Sequence, residues 1–190
     1  MKLPIIAYGD PVLKRKATDI DKNYPELDML IANLFDTMYA AHGVGIAAPQ
    51  VGLSIRLFVV DASPFAEDDA PELKDFKKVF INASIEEEEG EKWEFNEGCL
   101  SIPDIREDVS RHATIHIRYF DENWVEHREK YDGLAARVIQ HEYDHIEGKL
   151  FTDRLSVLRK AMLKSKLDAI SKGQVKVDYK MKFPAQKKKR

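Results

Sequence analysis

Residues 132–148 read DGLAARVIQHEYDHIEG, and the rest of the chain can be organised around this stretch. Leu134, Val138, His141 and His145 fall on one helical stripe, and Ala135, Ile139, Glu142 and Ile146 on the next. Asp132 stands where an N-cap belongs and Gly148 where a C′ glycine belongs, so the spacing predicts a helix buried on most sides. Inside it, His141-Glu142-Tyr143-Asp144-His145 has the form H-E-x-x-H. Histidines four apart on a helix lie about 5–6 Å apart at Cβ, so both imidazoles can hold one metal ion. Glu142 then sits beside the ion, placed to move a proton to and from water. The alternative is a surface helix with two solvated histidines. The apolar neighbours oppose it, because buried imidazoles and a carboxylate are costly unless a metal or partners satisfy them.

The chain has 190 residues, 44% hydrophobic and 33% charged, as expected for one soluble domain with a sizeable core. No apolar run reaches the roughly 20 residues that span a bilayer, and residues 1–10 lack the charged-then-apolar pattern of a signal peptide. A membrane association is not expected, and a cytoplasmic protein is. Cys99 is the single cysteine, which excludes an intrachain disulfide and leaves a thiol for other work. The charge is uneven. Residues 159–190 carry twelve Lys or Arg against Asp168 and Asp178, a local +10, which leaves −13 on residues 1–158 for the net −3.

Outward from the central stretch, residues 1–18 carry Pro4 and Gly9-Asp10-Pro11 and read as an irregular arm. From Pro25, a good first helical residue, Leu27, Leu30, Ile31, Leu34, Phe35, Met38 and Tyr39 repeat at helical spacing until Gly43, with His42 as a solvated last-turn residue. Residues 43–52 are too small and glycine-rich for a regular element and read as a turn feeding a strand over 55–61. Residues 62–78 read as a surface loop. A strand over 79–85, a solvated hairpin end over 86–91 and short strands over 92–95, 105–111, 113–120 and 124–131 follow, the last two joined around Asp121-Glu122-Asn123. His112, His116 and His127 are taken as structural. A helix over 155–172, with Gly173 at its end, precedes a Lys-rich tail over 173–190 that has little to bury and is expected to be flexible.

A lone cysteine is usually a small buried hydrophobe. Beside two histidine ligands, however, a thiolate is one of the few groups that completes a three-ligand site with a position left for water. H-E-x-x-H alone also fits a zinc metallopeptidase, and a Cys-His set also fits a structural zinc site. A metallopeptidase would draw its third ligand from beyond the helix, and a structural site needs a fourth ligand.

Three motifs stand in order: GVGIAAPQ at 43–50, EGCLS at 97–101 and QHEYDH at 140–145. Together they make the chain resemble the peptide deformylase family, with Ile46 where leucine is commoner. The resemblance implies an α+β fold in which mixed antiparallel β-sheets surround a central metal-bearing helix, with an N-terminal core helix and a C-terminal helix. Residues 1–172 would be the catalytic domain. It implies hydrolysis of the N-formyl group from the formyl-methionine of new polypeptides, releasing formate. Cys99, His141 and His145 would be the ligands of one divalent ion, Fe2+ by preference, with Zn2+, Ni2+ or Co2+ able to substitute. Glu142 would be base and then acid, and Gln50 Nε2 with the Leu100 N–H would stabilise the oxyanion. Gly43, Val44, Gly45 and Ile46 would pair with the peptide as an added strand, with Gly98 on its other side, and Glu97 is counted among the substrate-binding residues. Val44, Phe95, Leu134 and Val138 would line the methionine pocket, and Arg106 would contact the peptide further along. Arg137 sits where an apolar residue is easier to explain. Asp144 is either a partner of Arg111 that orients a ligand or an ordinary surface carboxylate. The partners implied are N-formylmethionyl nascent chains. The basic helix and tail add an expected weak contact with ribosomal RNA phosphates, and truncation of the tail before Lys172 is expected to spare turnover of a short peptide.

Overall fold

A computed structural model describes residues 1–67 and 70–184. Its centre is strand β3, Leu57–Asp61, whose five residues LFVVD are all buried. Alternation sends Phe58 and Val60 to one face and Leu57 and Val59 to the other, and each face carries a helix. Helix α1, Leu27–Ala40, packs Ile31, Leu34, Phe35 and Met38 against the Leu57 side. Helix α2, Gly133–Ile146, packs Ala135, Ala136, Val138 and Ile139 against the Phe58 side. The metal-motif helix is therefore embedded, as its two apolar stripes require.

The main sheet is antiparallel, in the order β2-β3-β4-β5-β6, with β2 Gly45–Ala47, β4 Lys77–Cys99, β5 Ile102–Phe120 and β6 Glu126–Asp132. A second, two-stranded parallel sheet joins β1, Ile5–Ile6, to β7, Met181–Lys182. Helix α3, Val157–Ser171, is capped by Ser156, whose Oγ accepts from the Arg159 N–H. It packs Leu163, Leu167 and Ile170 against Ile102, Ile105 and Val109. The fold is α+β. Among the described residues no helix is long and apolar enough to cross a membrane.

The structure departs from the sequence expectations in several places, and the two short strands expected over 105–111 and 113–120 are one strand, β5. Residues 86–91 are not a hairpin end. They lie inside the 23-residue strand β4, which pairs with β5 along nearly its whole length through four irregularities in register. Their glutamates are solvated and paired across strands, Glu89 with His116 at 2.9 Å and with Lys130 at 2.5 Å. Pro25 precedes α1 instead of opening it, and Glu26 takes the N-cap position in a left-handed conformation. Asp132 occupies its N-cap position without a side-chain cap. Residues 43–52 hold a short edge strand, β2, and a 3-10 turn, Ala48–Val51. The arm and the tail, expected to be irregular and flexible, meet in the β1–β7 ladder, so residues 179–183 are packed on the domain. The lysines at 187–189 and Arg190 lie outside the described residues.

Gly148 does end α2, at φ +72°, and a Cβ there would stand 2.7 Å from the Lys14 carbonyl oxygen. The tight fit ties the arm to the end of the motif helix.

Candidate metal centre and active site

Two elements bring the donors together. Helix α2 presents His141 and His145, and the end of β4 presents Cys99 just before the Leu100-Ser101 turn into β5. The Cys99 Sγ lies 3.4 Å from His145 Nε2, and one donor atom from each of the three residues lies within 4.8 Å of the others. Ligands about 2.0–2.3 Å from a tetrahedral ion stand about 3.5 Å apart, so the three atoms are spaced for one ion. No fourth His, Cys, Asp or Glu joins the group among the described residues, which leaves an open position and argues against a closed structural site.

The chemistry of the surroundings fits a cation. His141 Nδ1 is 2.9 Å from Glu97 Oε2; an ionised carboxylate only accepts, so the proton sits on Nδ1 and Nε2 is free to ligate. Burial and the neighbouring His141 push the His145 imidazole down to about 3, so it stays neutral as a ligand must. Burial opposes a charge on His141, yet Cys99 and Glu97 outweigh it and push its pKa well above the ordinary value. Glu142 Oε2 and His145 Nδ1 are buried with no partner among the described residues.

Glu142 lies beside the three donors. Burial raises its carboxyl, and the balance with His141 and Glu97 leaves it at about 7. It is crowded from one side: a Cβ on Gly45 would stand 2.5 Å from Glu142 Oε1, so only glycine lets β2 approach this closely. Gln50 is oriented by its other end. Its Oε1 accepts from the Ala47 N–H at 2.9 Å, which points Nε2 toward Cys99 Sγ at 3.5 Å and Ser101 Oγ at 3.3 Å.

β2 is an edge strand. Val44 O accepts from the Asp61 N–H at 2.9 Å, so by antiparallel alternation Gly45 and Ala47 turn their backbone groups away from β3. Ala47 N–H is used by Gln50, which leaves Gly45 as the outward pair. Ile46 pairs with Val59 and buries its side chain under α1.

A cavity of about 860 Å³ opens along this edge, lined by Gly43, Val44, Gly45, Gln50, Phe95, Glu97, Gly98, Cys99, Leu100, Arg106, Val138, His141 and Glu142. Leu134, expected in the methionine pocket, is half-buried and packs against the core cluster that α2 shares with the sheet. Phe65, the 102–105 stretch and residues 176–179 also form the cavity wall, and nothing in their sequence announced this. Arg106 is at the rim, held to Asn96 Oδ1 at 2.9 Å and to Asn96 O at 2.5 Å.

Beneath the site lies a buried network that the sequence reading caught only in part. Both Glu97 oxygens are spent: Arg111 binds it at 2.7 and 2.9 Å, Arg137 at 3.0 Å and His141 at 2.9 Å. Burial works against its charge, but Arg111 and His141 hold the carboxyl well below the ordinary range. Glu97 borders the cavity, yet both of its oxygens are turned to Arg111, Arg137 and His141. Arg137, the unexplained residue, is 2% exposed, stacks 4.4 Å from the Trp93 ring and donates to the Trp93 and Val109 carbonyls. It lies one turn before His141 and shares its acceptor, and that i,i+4 relation was the available clue. Asp144 is buried and pairs with Arg111 at 2.8 Å and with Arg154 at 2.6 Å, so the surface-carboxylate reading falls. His42, 78% exposed, and the histidines at 112, 116 and 127 take no part in the donor group.

Comparison with known proteins agrees with this geometry. Residues 2–161 match the family model described as polypeptide deformylase. The chain is 63% identical to the peptide deformylase of Christiangramia forsetii, with 100% of each chain covered. It is 57% identical to that of Flavobacterium johnsoniae, with 99% of each covered. Among solved structures, a peptide deformylase from Legionella pneumophila superposes with a TM-score of 0.79 at 36% identity, covering 92% of this chain and 98% of that one.

Proposed function

The chain belongs to the polypeptide deformylase family, hydrolases that remove the N-formyl group from new polypeptides, and from that premise we propose how its own residues divide the reaction. Cys99 Sγ and the Nε2 atoms of His141 and His145 hold one divalent ion. When bound, such an ion supplies Lewis acidity that makes water nucleophilic near neutral pH. Fe2+ follows from the family resemblance; a thiolate with two imidazoles also accepts Zn2+, Ni2+ or Co2+.

Glu142 takes the proton of the attacking water and delivers it to the departing amine, from a buried carboxyl with one oxygen left unpartnered among the described residues. Gln50 Nε2 and the Leu100 N–H receive the charge that grows on the formyl oxygen. The N-formylmethionyl chain lies along Gly43–Gly45 as an added strand, bonded to the outward groups of Gly45. Val44, Phe95 and Val138 enclose its methionine side chain, Gly98 lines the opposite side, and Arg106 meets the peptide further along. Glu97 holds His141 in the ligating tautomer and is a positioning residue, itself fixed by Arg111 and Arg137.

The observation that carries this reading is the unpartnered Glu142 oxygen beside three convergent donors at an open strand edge. Protein purified without oxygen should contain close to one divalent ion per chain and release formate from a formyl-Met peptide, while leaving an unformylated peptide intact. Cleavage of the unformylated peptide, or no formate from the metal-loaded protein, would overturn it.

The reading places the enzyme in the cytoplasm, with its substrates at the ribosome. The basic residues of α3 make a weak contact with ribosomal RNA there. Reversing Lys160, Lys164 and Lys166 should weaken ribosome binding and remove its salt dependence, with short-peptide turnover near wild type. Binding that salt does not change in the unmodified protein rules the contact out.

A further inference from the structure

The turn that carries Leu100 is held by segments remote in sequence. Tyr8 N–H donates to Ser101 O at 2.9 Å, and Tyr179 Oη donates to Leu100 O at 2.9 Å. Tyr179 belongs to the stretch after α3 that lies across one end of the cavity, where residues 176–179 form part of the wall. That stretch is anchored on both sides of the tyrosine. Asp178 reaches His42 at 3.4 Å, at the end of α1, and Lys180 O accepts from the Ile5 N–H at 2.8 Å as β7 joins β1. The tyrosine ring itself packs against the α1 core. A hydroxyl held this way is a fixed donor, aimed at the backbone of the residue after Cys99.

We propose that Tyr179 is a positioning residue for the reaction, acting through the Leu100 backbone, and that the segment after α3 completes the active site. The proposal rests on the reading of the Leu100 N–H as an oxyanion donor. That N–H and the bonded carbonyl are separated by the single φ,ψ pair of Leu100, so a bond that pins the carbonyl limits how far the N–H swings. Preorganised donors act through such limits, since a donor that must reorient during the reaction loses much of its effect. Tyr179 lies outside residues 2–161, the stretch that matches the family model, so the shared motifs neither contain nor require it. Against the expectation that removing the chain from Lys172 onward spares the chemistry, it predicts that such a deletion slows turnover, since the deletion takes away this donor and β7 together.

Tyr179→Phe in the full chain keeps the ring and its packing and deletes only the donor. Formate release from a formyl-Met peptide should fall about tenfold in kcat, with KM, bound metal and the thermal midpoint close to wild type. A purely structural role would lower the midpoint or the metal content and leave kcat per bound metal unchanged. Unchanged kcat in Tyr179→Phe, or a loss that tracks metal content, overturns the inference while leaving the deformylase reading intact. Absence of formate release by the unmodified holoenzyme overturns that reading itself.

Discussion

Glu142→Ala should bind its metal as the unmodified protein does and release formate at least 10²–10⁴-fold more slowly, the loss expected when a positioned proton-transfer group is removed. The three donors are untouched by the change, so metal content separates loss of the base from loss of the centre. Folding should survive as well. Glu142 is 4% exposed and its Oε2 has no partner among the described residues, so the native carboxyl is a cost to stability that the cavity left by alanine replaces. Glu142→Gln, which keeps the shape beside Gly45, should be nearly as slow. Metal analysis and formate release on the same sample decide the matter, and near-normal turnover at full occupancy would remove Glu142 from the mechanism.

Gln50→Leu should lower kcat about 10²–10³-fold with little change in metal content, as found when one donor to a developing oxyanion is deleted. Orientation makes the test sharp. Because Ala47 N–H occupies Oε1, the amide cannot turn its oxygen to the site without losing that bond. The same bond predicts a side effect, since leucine strands a buried backbone donor and should cost about 1–3 kcal/mol of stability. Turnover is therefore compared per folded, metal-loaded chain. If KM rises and kcat holds, Gln50 serves binding of the ground state and Leu100 is left as the principal donor.

The parts of this molecule that the sequence disclosed are those with a local signature. H-E-x-x-H within two apolar stripes marked α2 and two of the three candidate donors, and the apolar run of β3 marked the strand that both helices cover. Cys99 was legible only together with the helix, because a thiol acquires meaning from what lies opposite it. The unbroken length of β4 was hidden by its run of glutamates, which are solvated on one strand yet matched by His116, Arg118 and Lys130 on neighbouring ones. Cross-strand pairing is a property of register, and register is not local. Arg137 and Arg154 were hidden for the same reason, since their acceptors lie on other elements. Tyr179 had no sequence context beyond a lysine-rich stretch that composition alone assigns to solvent.

The ladder between Ile5–Ile6 and Met181–Lys182 sets an order of events during synthesis. A growing copy can form α1, the main sheet and α2, and with them all three metal donors, while residues 179–182 have yet to be made. Through that interval β1 waits with its partner missing, and closing the gap late has an entropic cost that grows only logarithmically with the intervening length. Metal capture and the last refinement of the Leu100 turn are thus separable in time. A ribosome-arrested copy stopped short of residue 179 should already bind the ion, yet turn over at the pace of Tyr179→Phe or slower.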